Sequence, residues 1–293
     1  MKECGINISD QAAALVKSLP YIQQYQGKTM VIKYGGNAML NAELKAAVIQ
    51  DVILMSCLGM RIVLVHGGGP EIEAMLTAVG KESRFVKGLR YTDEETMEIV
   101  QMVLCGKVNK DITSLIQQNG GHAIGVSGID GGMLQAVRLI SDGEDLGFVG
   151  DIKIVNTSIL ETILNAKAIP VVSSVALGIE EASGHGLNIN ADLGAAKIAS
   201  AMEAEKLVLM TDVPGLLRDL KNPDSLIQKI SKAELEELKK TGVISKGMIP
   251  KTDCCVLALD GGVKNAHIID GRVPHALLVG LFTDQGIGTR IER

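Results

Sequence analysis

Short apolar runs alternate along this chain with segments whose apolar residues are spaced as on one face of a helix. Four runs have the length of buried strands, at residues 30–32, 62–65, 169–172 and 206–210. Helical spacing predicts helices over residues 9–25, 41–59, 71–80, 93–104, 108–118, 159–167, 193–202, 231–241 and 252–260. Strands that alternate with helices favour an α/β fold in which a mainly parallel sheet carries helices on both faces, a three-layer αβα sandwich.

The first two apolar runs each lead into a glycine-rich turn. Lys33 closes the first strand and precedes Gly35 and Gly36, and the second strand ends in HGGGP at residues 66–70. Glycines let backbone N–H groups approach an anion closely, and a lysine adds a positive charge beside them. The first turn alone favours a simpler interpretation, a strand end with a surface lysine. Two such turns predict one phosphate-handling site at the carboxyl edge of a parallel sheet, where open α/β sheets bind ligands.

Three common motifs of glycine-rich α/β proteins are near misses in this chain. The sequence GKT at 27–29 lacks the first glycine of a Walker loop, because position 22 is Ile. Residues 66–72 do not fit the dinucleotide pattern G-x-G-x-x-G, and position 129 is Ile where a nucleophile elbow around Ser127 requires Gly. These departures argue against the three corresponding site types.

Composition narrows the class of protein. The chain has 293 residues, enough for one large or two medium domains, and 46% are hydrophobic, which allows a sizeable core. Aromatic residues make up 2% with no Trp, so aliphatic residues and Met must fill that core. The net charge of −5 argues against a general nucleic-acid binder, and no apolar run has the length of a membrane span. The lack of a signal-peptide pattern, with five Cys and no CxxC motif, indicates reduced thiols in a cytoplasmic protein.

Capping residues predict several helix ends. Ser9 and Asp10 can cap the first helix, which Pro20 ends or kinks. Thr92, with a Glu three residues later, forms a capping box, and Gly106 interrupts the helix that follows. The first helix has an apolar face and lies outside the core strand order, so it packs either on a neighbouring subunit or on its own domain.

Polar residues concentrate in two later segments. Asn188, Asn190 and Asp192 alternate with apolar residues, so they share one side of an extended segment that leads into an Ala-rich helix. Asp192 can cap that helix or face a ligand, and it can do both. Lys251 lies in a loop before the helix at 252–260. With Lys33 and the two glycine turns, these groups suit phosphoryl transfer, which requires positioning and neutralisation of the charge on the transferred group.

The acceptor of such a transfer is left open by the residues themselves. A carboxylate acceptor is already ionised at neutral pH and needs no general base. That fits a chain with five His and no Ser–His or Cys–His pattern. A hydroxyl acceptor is not excluded.

Six segments, in this order, resemble the amino acid kinase family: VIKYGGNA, VLVHGGGPEI, GLRYTDEETMEIV, LNINADLGAAKIA, KLVLMTDVPGLL and GMIPKTD. The resemblance runs from about residue 10 to the C-terminus. Within the family, GLRYTDEET and LNINAD are most similar to members that phosphorylate N-acetyl-L-glutamate in arginine biosynthesis. The resemblance implies the amino acid kinase fold with two lobes and ATP with Mg²⁺, the ion being held mostly by phosphates and water.

The resemblance also assigns roles to individual residues. Lys33 and Lys251 would neutralise the transferring phosphoryl group, and Asp192 would organise the two lysines. The residues expected at the acceptor are Gly68, Gly69, Arg90, whose guanidinium would grip a carboxylate, and Asn188. Those expected along the nucleotide are Gly35, Gly36, Thr211, Asp212 and Leu217, with the N–H groups of Gly36 and Gly68 on phosphate. No metal-ligating side chain is implied, and His66, which has no second ligand at a suitable spacing, is either structural or adjacent to the substrate.

Simpler interpretations compete with these roles. Without the resemblance, Arg90 is better explained as a surface residue at a helix start, and Lys251 as a surface lysine. Two other functions also compete. One is another amino acid kinase, acting on aspartate or carbamate. The other is a non-catalytic regulator that binds an amino acid and a nucleotide.

Domains and assembly follow from the resemblance as well. Residues 1–26 would form an oligomerisation helix, residues 27–204 a lobe for the amino acid substrate, and residues 205–293 a lobe for the nucleotide. The first helix and the stretch HALLVGLFTDQGIGT resemble arginine-inhibited members, whose N-terminal helices interlace dimers into a hexamer, a trimer of dimers. A PII-type regulator binds the hexamer in some relatives, and whether one binds here stays open.

Two departures from the family pattern accompany the arginine-site resemblance. Tyr21, Lys206, Gly280 and Gly286 would belong to that site, but Gly280 stands where the inhibited members usually carry a Glu. Losing a charged partner of the guanidinium predicts a hexamer with reduced or absent arginine sensitivity. The pair Ser173-Ser174 also departs from the usual run after its strand, with no predicted consequence.

Overall fold

The computed structural model describes residues 7–141, 143–244, 247–283 and 286–293. The helices are α1 (Ile8–Tyr25), α2 (Asn37–Leu40), α3 (Ala42–Cys57), α4 (Gly69–Ala78), α5 (Glu94–Gln101), α6 (Asn109–Gln118), α7 (Ser158–Asn165), α8 (Ala191–Ala201), α9 (Lys232–Lys240), α10 (Ile249–Asp260) and α11 (Ala276–Phe282). The strands are β1 (Thr29–Tyr34), β2 (Arg61–His66), β3 (Phe85–Val86), β4 (Leu89–Arg90), β5 (Ala123–Ser127), β6 (Leu134–Ser141), β7 (Glu144–Val155), β8 (Ile169–Ser173), β9 (Val175–Gly178), β10 (Gly186–Asn188), β11 (Lys206–Thr211), β12 (Lys229–Ser231), β13 (Asn265–Asp270) and β14 (Thr289–Glu292). The start of the predicted oligomerisation segment (1–6) and positions 284–285 of the C-terminal stretch lie outside the described residues.

Eight strands form one central sheet in the order β12-β14-β13-β11-β1-β2-β8-β5. Neighbouring strands are parallel except for β13 and β14. Strands β6, β7, β9 and β10 pair in a separate closed unit. Helix α8 packs against α10, α3 packs against α6 and α11, and both groups contact the sheet. The predicted α/β fold with a mainly parallel central sheet is therefore confirmed. Among the described helices, none is both long and apolar enough to cross a membrane.

The strand ends that carry the glycine turns meet at one edge of this sheet. In the pairing of β1 with β2, Tyr34 lies opposite His66, and in the pairing of β2 with β8, His66 lies opposite Ser173. On its other side β1 pairs with β11, with Lys33 opposite Leu209. Because β1 lies before the predicted lobe boundary and β11 after it, a single sheet spans both predicted lobes. The boundary at residue 204 stays a prediction.

Helix α1 begins one residue earlier than predicted and ends at the predicted residue, Tyr25. Asn7, rather than Ser9 or Asp10, is the capping residue, because its side chain accepts a hydrogen bond of 3.3 Å from the Ser9 N–H. The helix continues through Pro20 to Tyr25. Proline removes one internal N–H donor, but much of α1 is exposed, so water can hydrate the carbonyl left without a partner.

The capping box predicted at Thr92 is also wrong. Asp93 caps α5 by accepting a hydrogen bond of 2.8 Å from the Thr96 N–H, while the Thr92 hydroxyl donates to the carbonyl of Arg90. Nor does Gly106 interrupt the helix. A π-helical segment, Met102–Val108, joins α5 to α6 instead. Its wider turn absorbs an extra residue without breaking the helix.

A buried acid holds α11 to α3. Asp51 of α3 has no exposed surface, and its Oδ1 lies 2.6 Å from Nδ1 of His275, directly before α11. Burial raises the pKa of Asp51 to about 6, although the His275 contact and the backbone N–H groups of Leu278 and Leu277 act in the opposite direction. Because this pKa is raised, the stabilisation from the protonated carboxyl is complete below about pH 4 and is lost as the pH rises through about 6.

The first prediction concerns this carboxyl. As the pH rises from about 4 to about 6, the unfolding free energy of the wild-type protein is expected to fall by up to about 3 kcal/mol relative to that of Asp51→Asn. The reason is that Asn stays neutral while Asp51 ionises in a buried site. Urea unfolding of both proteins at pH steps measures the difference, with Asp260→Asn, an exposed surface substitution, as control. A difference that stays constant with pH would contradict the prediction.

Candidate active site

Two lysines and one aspartate converge at the carboxyl edge of the central sheet. Lys33 Nζ lies 3.1 Å from Oδ1 of Asp192, and Lys251 Nζ donates a hydrogen bond of 2.7 Å to Oδ2 of the same carboxylate. The three side chains are 12%, 23% and 11% exposed for Lys33, Lys251 and Asp192. They come from β1, α10 and α8, so three distant segments of the chain build one charged cluster.

The carboxylate of Asp192 can contact both lysines because the side chain of another residue caps its helix. The side chain of Asn190 accepts hydrogen bonds from the N–H groups of Asp192 (2.9 Å) and Leu193 (3.2 Å). The alternative interpretation, in which Asp192 itself caps α8, is therefore wrong. Its place in the first turn still favours the ionised carboxylate, since the helix dipole is positive there.

The ionisation of Asp192 depends on a balance between burial and charge. Burial acts to raise the pKa of Asp192, but the ammonium groups of Lys33 and Lys251 outweigh it and hold that pKa below its ordinary value. The cluster therefore carries one negative and two positive charges near neutral pH. Its net positive charge faces the adjacent cavity.

The glycine turns form the wall beside this cluster. Gly36 has φ of +72°, and a Cβ at this position would lie 2.6 and 2.7 Å from the carboxylate oxygens of Asp212. A Cβ at Gly68 would lie 2.7 Å from Cδ2 of Leu104. A side chain at Gly36 would meet both an unfavourable φ and crowding, and one at Gly68 would have to displace Leu104, so glycine is favoured at both positions.

Arg90 reaches the same cavity from the hairpin of β3 and β4. The turn of that hairpin, Lys87-Gly88, has positive φ at both residues (51° and 83°), as in tight hairpin turns. The Arg90 side chain is 8% exposed, and its Nη1 donates to Glu73 at 2.8 Å, while Nη2 lies 3.3 Å from the Gly69 carbonyl. Arg90 is thus a half-buried, paired residue rather than a free surface arginine.

A cavity of about 350 Å³ contains the cluster and most of the predicted site residues. The predicted residues that line it are Lys33, Gly35, Gly36, Gly68, Gly69, Arg90, Asn188, Asp192 and Lys251. Thr211, Asp212 and Leu217 are not in this lining. Asp212 nevertheless lies against Gly36, whereas the backbone of Leu217 pairs with Leu226.

Comparison with known proteins identifies the family. The amino acid kinase family matches residues 28–270 of this chain.

The chain belongs to the amino acid kinase family.

Relatives within this family resemble the chain over nearly its whole length. An acetylglutamate kinase from Clostridium kluyveri is 53% identical over 286 residues, which cover 98% of this chain and 100% of that protein. The acetylglutamate kinase from Moorella thermoacetica is 52% identical over 96% of this chain and 97% of its own length.

Solved structures show the same amino acid kinase fold. The N-acetylglutamate synthase from Neisseria gonorrhoeae, complexed with coenzyme A and N-acetyl-glutamate, matches 96% of this chain with a TM-score of 0.83 and 28% identity. The chain spans 63% of the length of that synthase. A carbamate kinase from Giardia lamblia bound to AMP-PNP matches 91% of this chain with a TM-score of 0.65 and 19% identity, which speaks for the fold alone.

Several residues of this amino acid kinase site were missed in the sequence. The cavity lining also includes Ile72, Leu104, Val149 and Ser174. An Asn directly before the Ala-rich helix is an ordinary capping signal, so the role of Asn190 could have been found. The pairing of Glu73 with Arg90 could not have been predicted, because nothing in a single sequence links these two positions.

Three of the predicted arginine-site residues line a second cavity of this amino acid kinase. Tyr21, Gly280 and Gly286 line a space of about 340 Å³ together with Lys229, His267 and Arg290. Lys206 does not line it; its ammonium group is buried and donates a hydrogen bond of 3.3 Å to the hydroxyl of Tyr25.

Proposed function

We propose that this amino acid kinase transfers the γ-phosphoryl group of ATP to the side-chain carboxylate of N-acetyl-L-glutamate, forming N-acetyl-L-glutamyl 5-phosphate in arginine biosynthesis. The observation that carries the proposal is the cluster of Lys33, Asp192 and Lys251 at the cavity. The names of relatives that are more than half identical over nearly the full chain support the acceptor.

The chemistry follows from the charges of the cluster. An oxygen of the acceptor carboxylate forms a bond to the γ-phosphorus, and the bond from phosphorus to the bridging oxygen of ADP breaks. Charge spreads over the transferred oxygens during this step, and Lys33 and Lys251 on either side of Asp192 stabilise it. The acceptor carboxylate is ionised at neutral pH, so no proton has to leave it.

His66 is not a general base in this scheme. It has no exposed surface, and burial lowers its pKa to about 4. Both ring nitrogens lie in contact with protein groups, Gly67 and Asn109. A base would need one nitrogen directed at the substrate.

Arg90 and Asn188 are proposed to hold the acceptor. The guanidinium of Arg90 already contacts Glu73 through Nη1, so an incoming carboxylate would have to share or replace that partner. Asn188 donates a hydrogen bond of 3.2 Å to the Thr92 hydroxyl, which fixes its side chain at the cavity wall. Gly35, Gly36, Thr211, Asp212 and Leu217 are proposed to lie along the nucleotide.

Mg²⁺ is proposed to enter with ATP. Within the described ranges, no group of three or more His, Cys, Asp or Glu side chains is arranged to hold a metal ion. In this proposal phosphate oxygens and water would hold the ion, and it would screen phosphate charge.

The function is tested by ADP formation from MgATP with N-acetyl-L-glutamate, using L-glutamate and L-aspartate as controls. Turnover with the acetylated substrate alone is expected. Turnover with another acceptor would support phosphoryl transfer but contradict N-acetyl-L-glutamate as the substrate. If the folded protein turns over none of these acceptors, the result would favour a non-catalytic regulator.

The assembly is proposed to be a cytoplasmic hexamer, a trimer of dimers, with a PII-type regulator as a candidate partner. Leu15, Val16 and Leu19 of α1 are 72%, 69% and 49% exposed in the single chain, which leaves an apolar surface for another subunit. The molar mass in solution, measured by light scattering, tests the hexamer, and a monomer would contradict it.

The second prediction concerns arginine, proposed to bind the second cavity. The described side chains that line it offer no carboxylate, and a Glu at 280 would supply one; its Cβ would lie 3.2 Å from His267 Cε1, which a small shift can relieve. We expect weak or absent arginine inhibition in the wild type and about tenfold or greater tightening in Gly280→Glu. Gly280→Gln, without the charge, is the matched control. Strong inhibition of the wild type would overturn the idea.

A further inference from the structure

A buried histidine stands directly behind the glycine turn of the candidate active site. His66 ends β2, and its Nδ1 lies 2.8 Å from the carbonyl oxygen of Gly67. Its Nε2 lies 3.1 Å from the side-chain nitrogen of Asn109. The ring therefore connects the turn on one side with α6 on the other.

The partners of Asn109 decide which ring nitrogen carries the proton. The amide nitrogen of Asn109 faces the carbonyls of Val171 (2.8 Å) and Val126 (3.2 Å), and Lys110 Nζ donates to its amide oxygen at 3.1 Å. These contacts fix the orientation of the amide, so its nitrogen, which cannot accept a hydrogen bond, faces Nε2 of His66. A proton on Nε2 would have no acceptor there, whereas the Gly67 carbonyl can only accept, so the neutral ring carries its proton on Nδ1 and donates it to that carbonyl.

The same hydrogen bond fixes the direction of the next N–H group. In a trans peptide the C=O of Gly67 and the N–H of Gly68 point in opposite directions, and the described residues contain no cis peptide bond. Since the Gly67 oxygen faces the buried ring, the Gly68 N–H points away from it, and Gly68 lines the cavity. Among the described residues, this N–H has no hydrogen-bond acceptor.

The π-helical segment holds the turn from its other side. Leu104 and Val108 would meet a Cβ on Gly68 at 2.7 and 3.2 Å, so they close off one side of the glycine. Asn109 follows the segment directly and is 1% exposed. Extra residues of this kind in helices recur at functional sites.

We propose that His66, held in its Nδ1-protonated form by Asn109, is a positioning residue that directs the Gly68 N–H at the transferred phosphoryl group. It acts through the Gly67–Gly68 peptide and touches no substrate. The inference rests on the proposed phosphoryl transfer.

Two amide substitutions separate the two ends of the ring. In His66→Asn the amide nitrogen takes the place of Nδ1 and keeps the bond to Gly67, whereas in His66→Gln it takes the place of Nε2 and loses that bond. His66→Leu removes both. We expect kcat to fall about 100-fold in His66→Leu and His66→Gln, because removing one such donor costs about 10²–10³ in rate. His66→Asn should stay within about tenfold of the wild type, with KM values changing less than kcat in all three.

The outcomes separate this inference from the proposed function. If the wild-type protein showed no turnover, that result would contradict the proposed function itself. Equal kcat values for His66→Asn and His66→Gln, or kcat of His66→Leu within threefold of the wild type, would overturn the positioning role. His122→Leu, at an exposed position outside the site, controls for the loss of an imidazole. Should the variants not fold, ¹⁵N NMR of the wild-type histidine rings decides, since the inference requires one neutral ring protonated at Nδ1, and a spectrum without such a ring would overturn it.

Discussion

Replacing either lysine of the cluster by alanine is expected to reduce kcat by about 10²–10³ while KM for both substrates changes far less. Lys33 and Lys251 contact the same carboxylate at 3.1 and 2.7 Å, so each is held at the point where charge develops on the phosphoryl group. That charge is greatest in the transition state, so its loss affects the chemical step more than ground-state binding. Steady-state kinetics of Lys33→Ala and Lys251→Ala, with ADP release as the signal, measure the effect.

Lys240→Ala provides the matched control for this result. Lys240 is an exposed lysine at the end of α9, outside the cavity. Its variant should retain the wild-type kcat. Near-normal kcat in Lys33→Ala or Lys251→Ala would show that the cluster does not stabilise the transferring group.

Asp192→Asn is expected to lower kcat about 100-fold although it preserves the shape of the side chain. Without the carboxylate, the two ammonium groups lose their shared partner and repel each other. Both lysines keep a path to solvent, so they can turn away from the position that transfer requires. The measurement is again kcat, combined with urea unfolding to confirm that the variant is folded.

The pH dependence of stability gives this substitution a second readout. Because the pKa of Asp192 is lowered in the folded protein, its ionised form stabilises the fold above the ordinary pKa, and this contribution is lost as the pH falls through the lowered value. The difference in unfolding free energy between wild type and Asp192→Asn should therefore shrink in acid. Asp260→Asn, at a surface ion pair, should change neither kcat nor this profile. Wild-type kcat in Asp192→Asn would contradict the assigned role.

The strands and the edge that carries the site could be predicted because their signals are local. Each of the four apolar runs became a strand of the central sheet, and each glycine turn follows its strand directly. Parallel strands then bring the turns of Lys33 and His66 together without further information. All predicted catalytic and acceptor residues line the cavity, whereas Thr211, Asp212 and Leu217 do not.

The errors arose where several residues compete for the same role. Asn7 and Asp93 cap helices whose predicted caps are neighbouring residues, and Asn190 caps the helix for which Asp192 is one alternative, because every polar residue near a helix start carries a similar capping signal. The π-helical segment had no signal beyond a glycine, and the closeness of Leu104 and Val108 to Gly68 is a tertiary contact that the sequence pattern does not contain. The pairing of Arg90 with Glu73 and the place of Asn109 depend on tertiary contacts that a periodic pattern does not contain.

The cluster joins segments that lie far apart along the chain, and this has a consequence for folding. Lys33 enters with the first strand of the sheet, whereas Lys251 belongs to a helix near the end of the sequence. Sheets built from such distant pairings have high contact order and fold slowly. During refolding, helical signal should therefore return before enzymatic turnover, and a nascent chain on the ribosome should have no turnover until α10 has emerged. Recovery of turnover would then report completion of the whole sheet.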